Sequence, residues 1–360
     1  MRFSNLDLFV VVLICYYIQN SRTITDFCNK NCGICQNSTC ERNDSCKCYY
    51  CQDCNSLCVD CDSKMLENVP NLEFNTTHLN LQNNKITKLD GNSFINVSCT
   101  IVSLELSKNK LVSTNISKYA FRGLDQLQYL SLKENYLSQI QIIWFADLKS
   151  LTHLILEKCN LMNISEDVFR QSPSLKLINL GDNNIKSLPS TLFSKQIRIN
   201  RLELHNNLIK YVPDAFLETS KSSISELLLH DNLIETIHSS LGLQHLTNLT
   251  NLTLFSNPFK CNCDLVWFIN WTQNNKRRFK VLSRNYKPLC DNMNKTLWDL
   301  NLRDFHCKWI WWEVALSVSV AILLVIFYLK LPYIRRCISD LIHKQHYIKL
   351  QSTAAAEERG

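Results

Sequence analysis

Glycine and proline are scarce in this chain, at 6 and 7 among 360 residues. Long linkers, flexible or stiff, are built from those residues, so none is expected. No glycine-rich loop is present to cradle a phosphate, and no serine or cysteine sits in a nucleophile motif. The 9 histidines are scattered singly. The chain therefore reads as a non-enzyme, with no cofactor and no metal site. Long basic runs are missing too: 39 Lys and Arg against 32 Asp and Glu give +7, thinly spread. That balance excludes nucleic acid as a partner.

Cysteine is what the chain has in excess, with 18. Ten fall between Cys28 and Cys61, and four more are Cys261, Cys263, Cys290 and Cys307. Clusters of this kind belong where disulfides persist, outside the cytosol. Cys32-x-x-Cys35, Cys51-x-x-Cys54 and Cys58-x-x-Cys61 also have zinc-site spacing. Without interleaved histidines in a secreted context, disulfides are the better reading. Cys99 has three open readings: a free thiol, a partner for a cap cysteine, or a link between chains.

The N-terminus agrees with export. Arg2 precedes an apolar stretch from Leu8 to Ile18, followed by polar Gln19 to Arg22. As a helix that stretch reaches about 16 Å, half a bilayer core of about 30 Å. Residues 1–21 read as a signal peptide cleaved between Asn20 and Ile24, with an uncleaved anchor as the rival. A second stretch is longer. Trp309 to Leu329 carries one charge, Glu313, and would extend about 31 Å. Trp309, Trp311 and Trp312 at one edge and Tyr328 and Tyr333 at the other form an aromatic belt, and Lys330, Arg335, Arg336, Lys344 and Lys349 follow. The prediction is a transmembrane helix over 309–331 and a short cytoplasmic tail over 332–360. The protein would then be single-pass type I in the plasma membrane, its N-terminus extracellular. Ten Asn-x-Ser/Thr sequons, at Asn37, Asn43, Asn75, Asn96, Asn115, Asn163, Asn248, Asn251, Asn270 and Asn294, all precede that span. Their distribution fits a glycosylated ectodomain.

The architecture lies in an internal repeat. The pattern L-x-L-x-x-N-x-L begins at Leu79, Leu104, Leu130, Leu154, Ile178, Leu202, Leu227 and Leu252, at intervals of 24 to 26 residues. Cys159 replaces the asparagine of the fourth unit, and Asn257 closes the last one before Pro258. Phe94, Phe121, Phe145, Phe169, Phe193 and Phe216 recur in the second half of the first six units. Offsets of 2, 5 and 7 do not fit the 3.6 period of a helical bundle. Each unit reads as a short strand plus a return segment that buries its apolar edge only by stacking. The asparagine would hydrogen-bond the backbone of the buried turn. Buried Cys159 would fill its slot structurally rather than as a reactive thiol. The predicted fold is an α/β solenoid: a curved parallel sheet on the concave face over 71–256, with cysteine-rich caps over 22–70 and 257–307.

The caps carry a family resemblance. Asn257-Pro258-Phe259-Lys260-Cys261-Asn262-Cys263-Asp264-Leu265, then Trp267, Phe268, Trp271, Cys290 and Cys307, is similar to the carboxy-terminal cap of leucine-rich-repeat ectodomains of animal cell-surface receptors, including Toll-like receptors and related adhesion proteins. Val59-Asp60-Cys61 followed by Leu66, Val69 and Pro70 resembles the end of their amino-terminal cap. The resemblance implies disulfides Cys261–Cys290 and Cys263–Cys307. It also implies an extracellular protein or glycan ligand and a signalling partner. About 30 residues follow Leu331 here, too few for the cytoplasmic domain of a Toll-like receptor. The expectation is a receptor or co-receptor acting through another protein; the alternatives are a non-signalling adhesion protein and a truncated or decoy relative.

Ligand recognition is expected on the concave sheet. Exposed apolar and aromatic positions are informative there. Tyr129, His153, Ile155 and Leu177 make one candidate patch, and His205, Leu228, His230 and Phe255 a second. Glu105, Glu157, Glu203 and Glu226 predict a mildly acidic face suited to a partly basic partner. In the tail, Cys337 beside Arg335 and Arg336 is a palmitoylation candidate, and Tyr347-Ile-Lys-Leu350 resembles an endocytic signal.

Overall fold

The computed structural model describes residues 36–38, 46–51, 56–72, 76–98, 100–214, 216–275, 288–293, 295–297, 299–300, 304–305 and 308–357. The predicted signal peptide, Cys99 and Cys307 lie outside them. The chain divides into two units, residues 1–302 and 303–360.

Eleven strands in the first unit form one sheet in sequence order. The first three are β1 (Gln36–Ser38), β2 (Lys47–Cys51) and β3 (Ser56–Asp60), which pair antiparallel. From β3 onward every pairing is parallel. The sheet runs through β4 (Thr76–Asn80), β5 (Ser103–Glu105), β6 (Tyr129–Ser131), β7 (His153–Ile155), β8 (Leu177–Asn179), β9 (Arg201–Glu203), β10 (Glu226–Leu228) and β11 (Asn251–Thr253). The register holds the first leucine of one turn's L-x-L against that of the next, as in Leu104↔Leu130 and Leu202↔Leu227. A one-residue slip would turn every leucine out of the core, so the repeat fixes this register. Both L-x-L leucines of each turn are buried, from Leu79 and Leu81 to Leu252 and Leu254.

The asparagine ladder seals the turns. Asn109 Nδ2 donates to Leu81 O of the previous turn at 2.9 Å and to Leu106 O of its own at 3.1 Å, while its Oδ1 accepts from Ile86 N–H at 3.0 Å. Asn135, Asn183, Asn207, Asn232 and Asn257 repeat this arrangement. Unsatisfied, those buried peptide groups would each cost about 1–3 kcal/mol. Cys159 keeps only half of it: its Sγ reaches Leu132 O at 3.1 Å, and no carboxamide is present to accept from Leu137 N–H. Burial first of all pushes its thiol up to about 12, so it stays protonated and unreactive.

An aromatic spine fills the convex half. Phe94 stacks on Phe121, and Phe145, Phe169, Phe193 and Phe216 follow with centroids 5.0 to 6.0 Å apart. Phe121, however, meets Trp144, not Phe145, at 6.5 Å. Both rings of the Trp144-Phe145 pair are buried, one facing each half of the spine.

At the carboxy-terminal end, helix α1 (Val266–Asn274) buries Phe268 and Ile269. Trp267 Nε1 donates to Ile237 O at 2.8 Å, fastening the cap to the preceding turn. Cys261–Cys290 forms as the resemblance implied. Cys263 is also disulfide-bonded. At the other end Cys46 pairs with Cys61, clasping the open end of the β2–β3 hairpin. The second unit contains α2 (Lys308–Glu357), 50 residues with Pro332 inside. Among the described residues, its stretch Leu316–Arg336 is long and apolar enough to cross a membrane, and it overlaps the predicted 309–331.

Candidate functional site

Strand side chains alternate, so residues flanking the inward leucines project from the concave sheet in columns. Rungs of a sheet lie about 4.8 Å apart, closer than two large side chains are wide. Large residues on successive rungs therefore cover one another, and this corrects the first candidate patch. Tyr129, Ile155 and Leu177 come from three consecutive rungs and form one buried cluster, with Ile155 at 0% exposure. His153 is buried beside them, its Nδ1 2.8 Å from Thr152 Oγ1. Burial, aided by the Lys176 charge, lowers the His153 pKa to about 4. Leu228 and Glu203 in the second half are buried as well. These residues are a sealed floor, not exposed patches.

The acidic face is also corrected. Lys133 Nζ pairs with Glu157 Oε1 at 2.9 Å. Arg201 bridges Glu203 Oε1 at 2.6 Å and Glu226 Oε2 at 2.8 Å. Glu105 accepts from Ser107 N–H at 2.8 Å and Tyr129 OH at 3.1 Å. Burial raises its pKa against those hydrogen bonds. Three of the four carboxylates are thus matched by the chain's own cations.

The second patch holds together as a ring stack. His205 and His230 lie face to face, centroids 4.9 Å apart and planes within 5°. Phe255 continues the column 4.4 Å from His230. All three are part-exposed, so their edges reach the concave solvent. His230 Nδ1 is 2.7 Å from Thr253 Oγ1, which orients its ring. Its pKa is lowered, by burial first and then by the neighbouring His205, against Asp231, Glu203 and Asp182. The column begins at Gly181, where an added Cβ would fall 2.3 Å from the His205 ring. Glycine therefore provides the floor on which His205 rests. No sequence motif marks Gly181 or Thr253; only the cross-rung register shows what they do. Carboxylates lie near both rings, with Glu203 Oε2 3.9 Å from His205 Nδ1 and Asp231 Oδ2 3.9 Å from His230 Nε2. Among the described residues no group of three or more His, Cys, Asp or Glu side chains gathers to hold a metal.

The sequons divide by exposure. Asn115, Asn163, Asn248 and Asn270 are exposed. Asn96 is half-buried and donates to Asn71 at 3.0 Å. Asn251 is half-buried at the edge of the concave sheet and donates to Glu226 at 3.3 Å. Asn37 lies in β1; Asn43, Asn75 and Asn294 lie outside the described residues.

Residues 114–241 match the family described as BspA type leucine rich repeat region, in six copies. Mouse osteomodulin is 36% identical over 96 residues, 27% of this chain and 22% of that protein. Zebrafish keratocan is 33% identical over 82 residues, 23% of each chain. The chain thus spans less than a quarter of the length of the curated relatives it matches. A solved structure of the Drosophila Toll–Spätzle complex aligns over 54% of this chain and 26% of its own, at 25% identity with a TM-score of 0.48. Together with the parallel register and the asparagine ladder, the repeat match establishes a leucine-rich-repeat solenoid.

Proposed function

We propose that this protein is a cell-surface receptor or co-receptor that takes an extracellular protein ligand on the carboxy-terminal half of its concave sheet. The observation that carries this reading is the His205–His230–Phe255 stack. It leaves aromatic edges open on a face whose other large apolar side chains, Tyr129, Ile155, Leu177 and Leu228, are already covered. Rigid aromatic surface of this kind supplies contact area at little entropic cost on binding. Arg201 and Glu226 lie on the same half of the sheet as a polar rim, and the exposed sequons Asn115 and Asn163 carry their glycans outside it. Anchorage through the apolar stretch that ends at Leu331 would present the solenoid outside the cell, with Arg335, Arg336, Lys344 and Lys349 on the cytoplasmic side.

The test is proximity labelling on intact cells, comparing the wild type with the triple variant His205→Ala, His230→Ala, Phe255→Ala. Proteins labelled by the wild type and lost from the variant, at equal surface level, are the expected result. An unchanged set of labelled proteins would remove the stack from the binding face. If the labelled set is confined to apposed cells or matrix and no neighbour in the same membrane is labelled, the adhesion reading replaces the receptor one.

A further inference from the structure

We propose that α2 beyond Pro332 is an amphipathic helix that lies on the anionic inner surface of the membrane, its apolar stripe covered by lipid. The proposal rests on reading the apolar stretch that ends at Leu331 as a span. Ile334, Ile338, Leu341 and Ile342 recur at intervals of four, seven and eight, which aligns them on one helix face. All four are exposed, at 40%, 51%, 63% and 61%. Ile348 continues the same register, while His343 falls half a turn away. Arg335, Arg336, Lys344 and Lys349 stand against a single acidic residue, Asp340, over this stretch.

Three features select lipid rather than another protein as the occupant. The stripe is continuous with the span: Ile334 lies three residues past its end at Leu331, at the depth where headgroups begin. The cations match an anionic leaflet, where each adds roughly fivefold to surface partitioning. Pro332 marks where the helix can bend. It has no N–H to donate to Tyr328 O, four residues back, so the helix axis can turn at the membrane edge. A straight helix of 50 residues would be about 75 Å long, more than twice the hydrocarbon core. Unbent, the stripe would stand in water; bent, it buries its isoleucines as surface-lying helices do.

The experiment uses the full chain reconstituted in vesicles of phosphatidylcholine alone or mixed with phosphatidylserine. A fluorescent amino acid replaces Leu341 or, as the opposite-face control, His343, and lipid with brominated acyl chains is the quencher. Quenching at position 341 and not at 343, present in anionic vesicles and weakened by salt, is the expected result. Arg335→Gln and Arg336→Gln each lower the surface-bound to free ratio roughly fivefold. Ile338→Asp abolishes the quenching. Equal quenching at both positions, or none in anionic vesicles, overturns the proposal. So does protection at position 341 that appears only as protein density rises, which would place a second copy on the stripe. Alkaline extraction is run in parallel: a chain released from the vesicles refutes the span itself, whereas a retained but unquenched chain refutes only the surface helix.

Discussion

The backbone N–H of Cys159 donates to Oδ1 of Asn183 at 3.0 Å, and Leu161 N–H donates to the same oxygen at 3.0 Å. The one turn whose own ladder residue is not an asparagine is thus held by the asparagine of the next. Asn183 also donates to Leu156 O at 2.8 Å and Leu180 O at 3.0 Å, all within the core. Replacing it with alanine leaves two donors, Cys159 N–H and Leu161 N–H, and one acceptor, Leu156 O, buried without that partner, while Leu180 O keeps Asn207 Nδ2 at 3.0 Å. The expected cost is about 2–4 kcal/mol. Thermal unfolding of the ectodomain should shift down by roughly 5–15 °C, whereas alanine at exposed Asn184 should leave it unchanged.

Cys159→Asn is expected to act in the opposite sense. An asparagine there extends the ladder through the fourth turn, its Oδ1 taking Leu137 N–H as Asn135 takes Leu111 N–H. The gain is about 1 kcal/mol, one buried hydrogen bond. Denaturant midpoints of the two forms measure it, and slowed exchange of the Leu137 amide locates it.

Acid should loosen the solenoid through its concave histidines. The pKa of His153 and of His78 is lowered from 6.5 to about 4, in both cases by burial first. The unfolded chain takes up these protons from pH 6.5 downward while the fold resists them. Stability is therefore complete above pH 6.5 and is lost as pH falls toward 4, by about 3 kcal/mol per histidine. Glu105 works against this trend. Its pKa is raised by burial, so its protonation in acid returns some stability. His153→Phe should flatten the acid limb of a stability-against-pH curve, and Glu105→Gln should steepen it.

Gly181→Ala probes the ring stack without touching it. The new methyl would meet the His205 ring at 2.3 to 2.8 Å, so the ring must leave its place against His230. The fold should survive, at a cost of about 1–3 kcal/mol for overpacking. Imidazole proton shifts of His205 and His230 report the unstacking. If both stay at their wild-type values, glycine is not the floor of the column.

The repeat, its register and the asparagine ladder were legible because each is a short periodic rule that adjacent turns repeat. The Cys261–Cys290 bridge was legible only through the cap resemblance. Exposure on the concave face was not legible. Whether Tyr129 or Ile155 reaches solvent depends on what the next rung places beside it, and the one-dimensional pattern says only that both point outward from the core. Trp144 was overlooked for a similar reason. Counting one phenylalanine per turn selects Phe145, yet the spine divides there and needs both rings. The turn geometry was also hidden. Asn83, Lys108, Glu134, Lys158, Asp182, Asn206, Asp231 and Ser256 all have φ between +50° and +55°. They sit just before the ladder position, where glycine would be the obvious marker and none occurs. Neighbouring turns impose that conformation on whatever side chain is there, at about 1–2 kcal/mol each for the residues that are not Asn or Asp.

The ladder also has a direction. Each carboxamide reaches back to the turn that precedes it, Asn109 to Leu81, Asn232 to Leu204 and Asn257 to Leu229, so every turn is completed by its successor. On a ribosome, which delivers the N-terminal turns first, no turn can close until about 25 further residues have emerged. The nascent solenoid would advance like a zip trailing its slider by one tooth. Its last tooth is locked only when Trp267 seats on Ile237 O. A chain stalled before that point would carry a finished stack with one permanently open end.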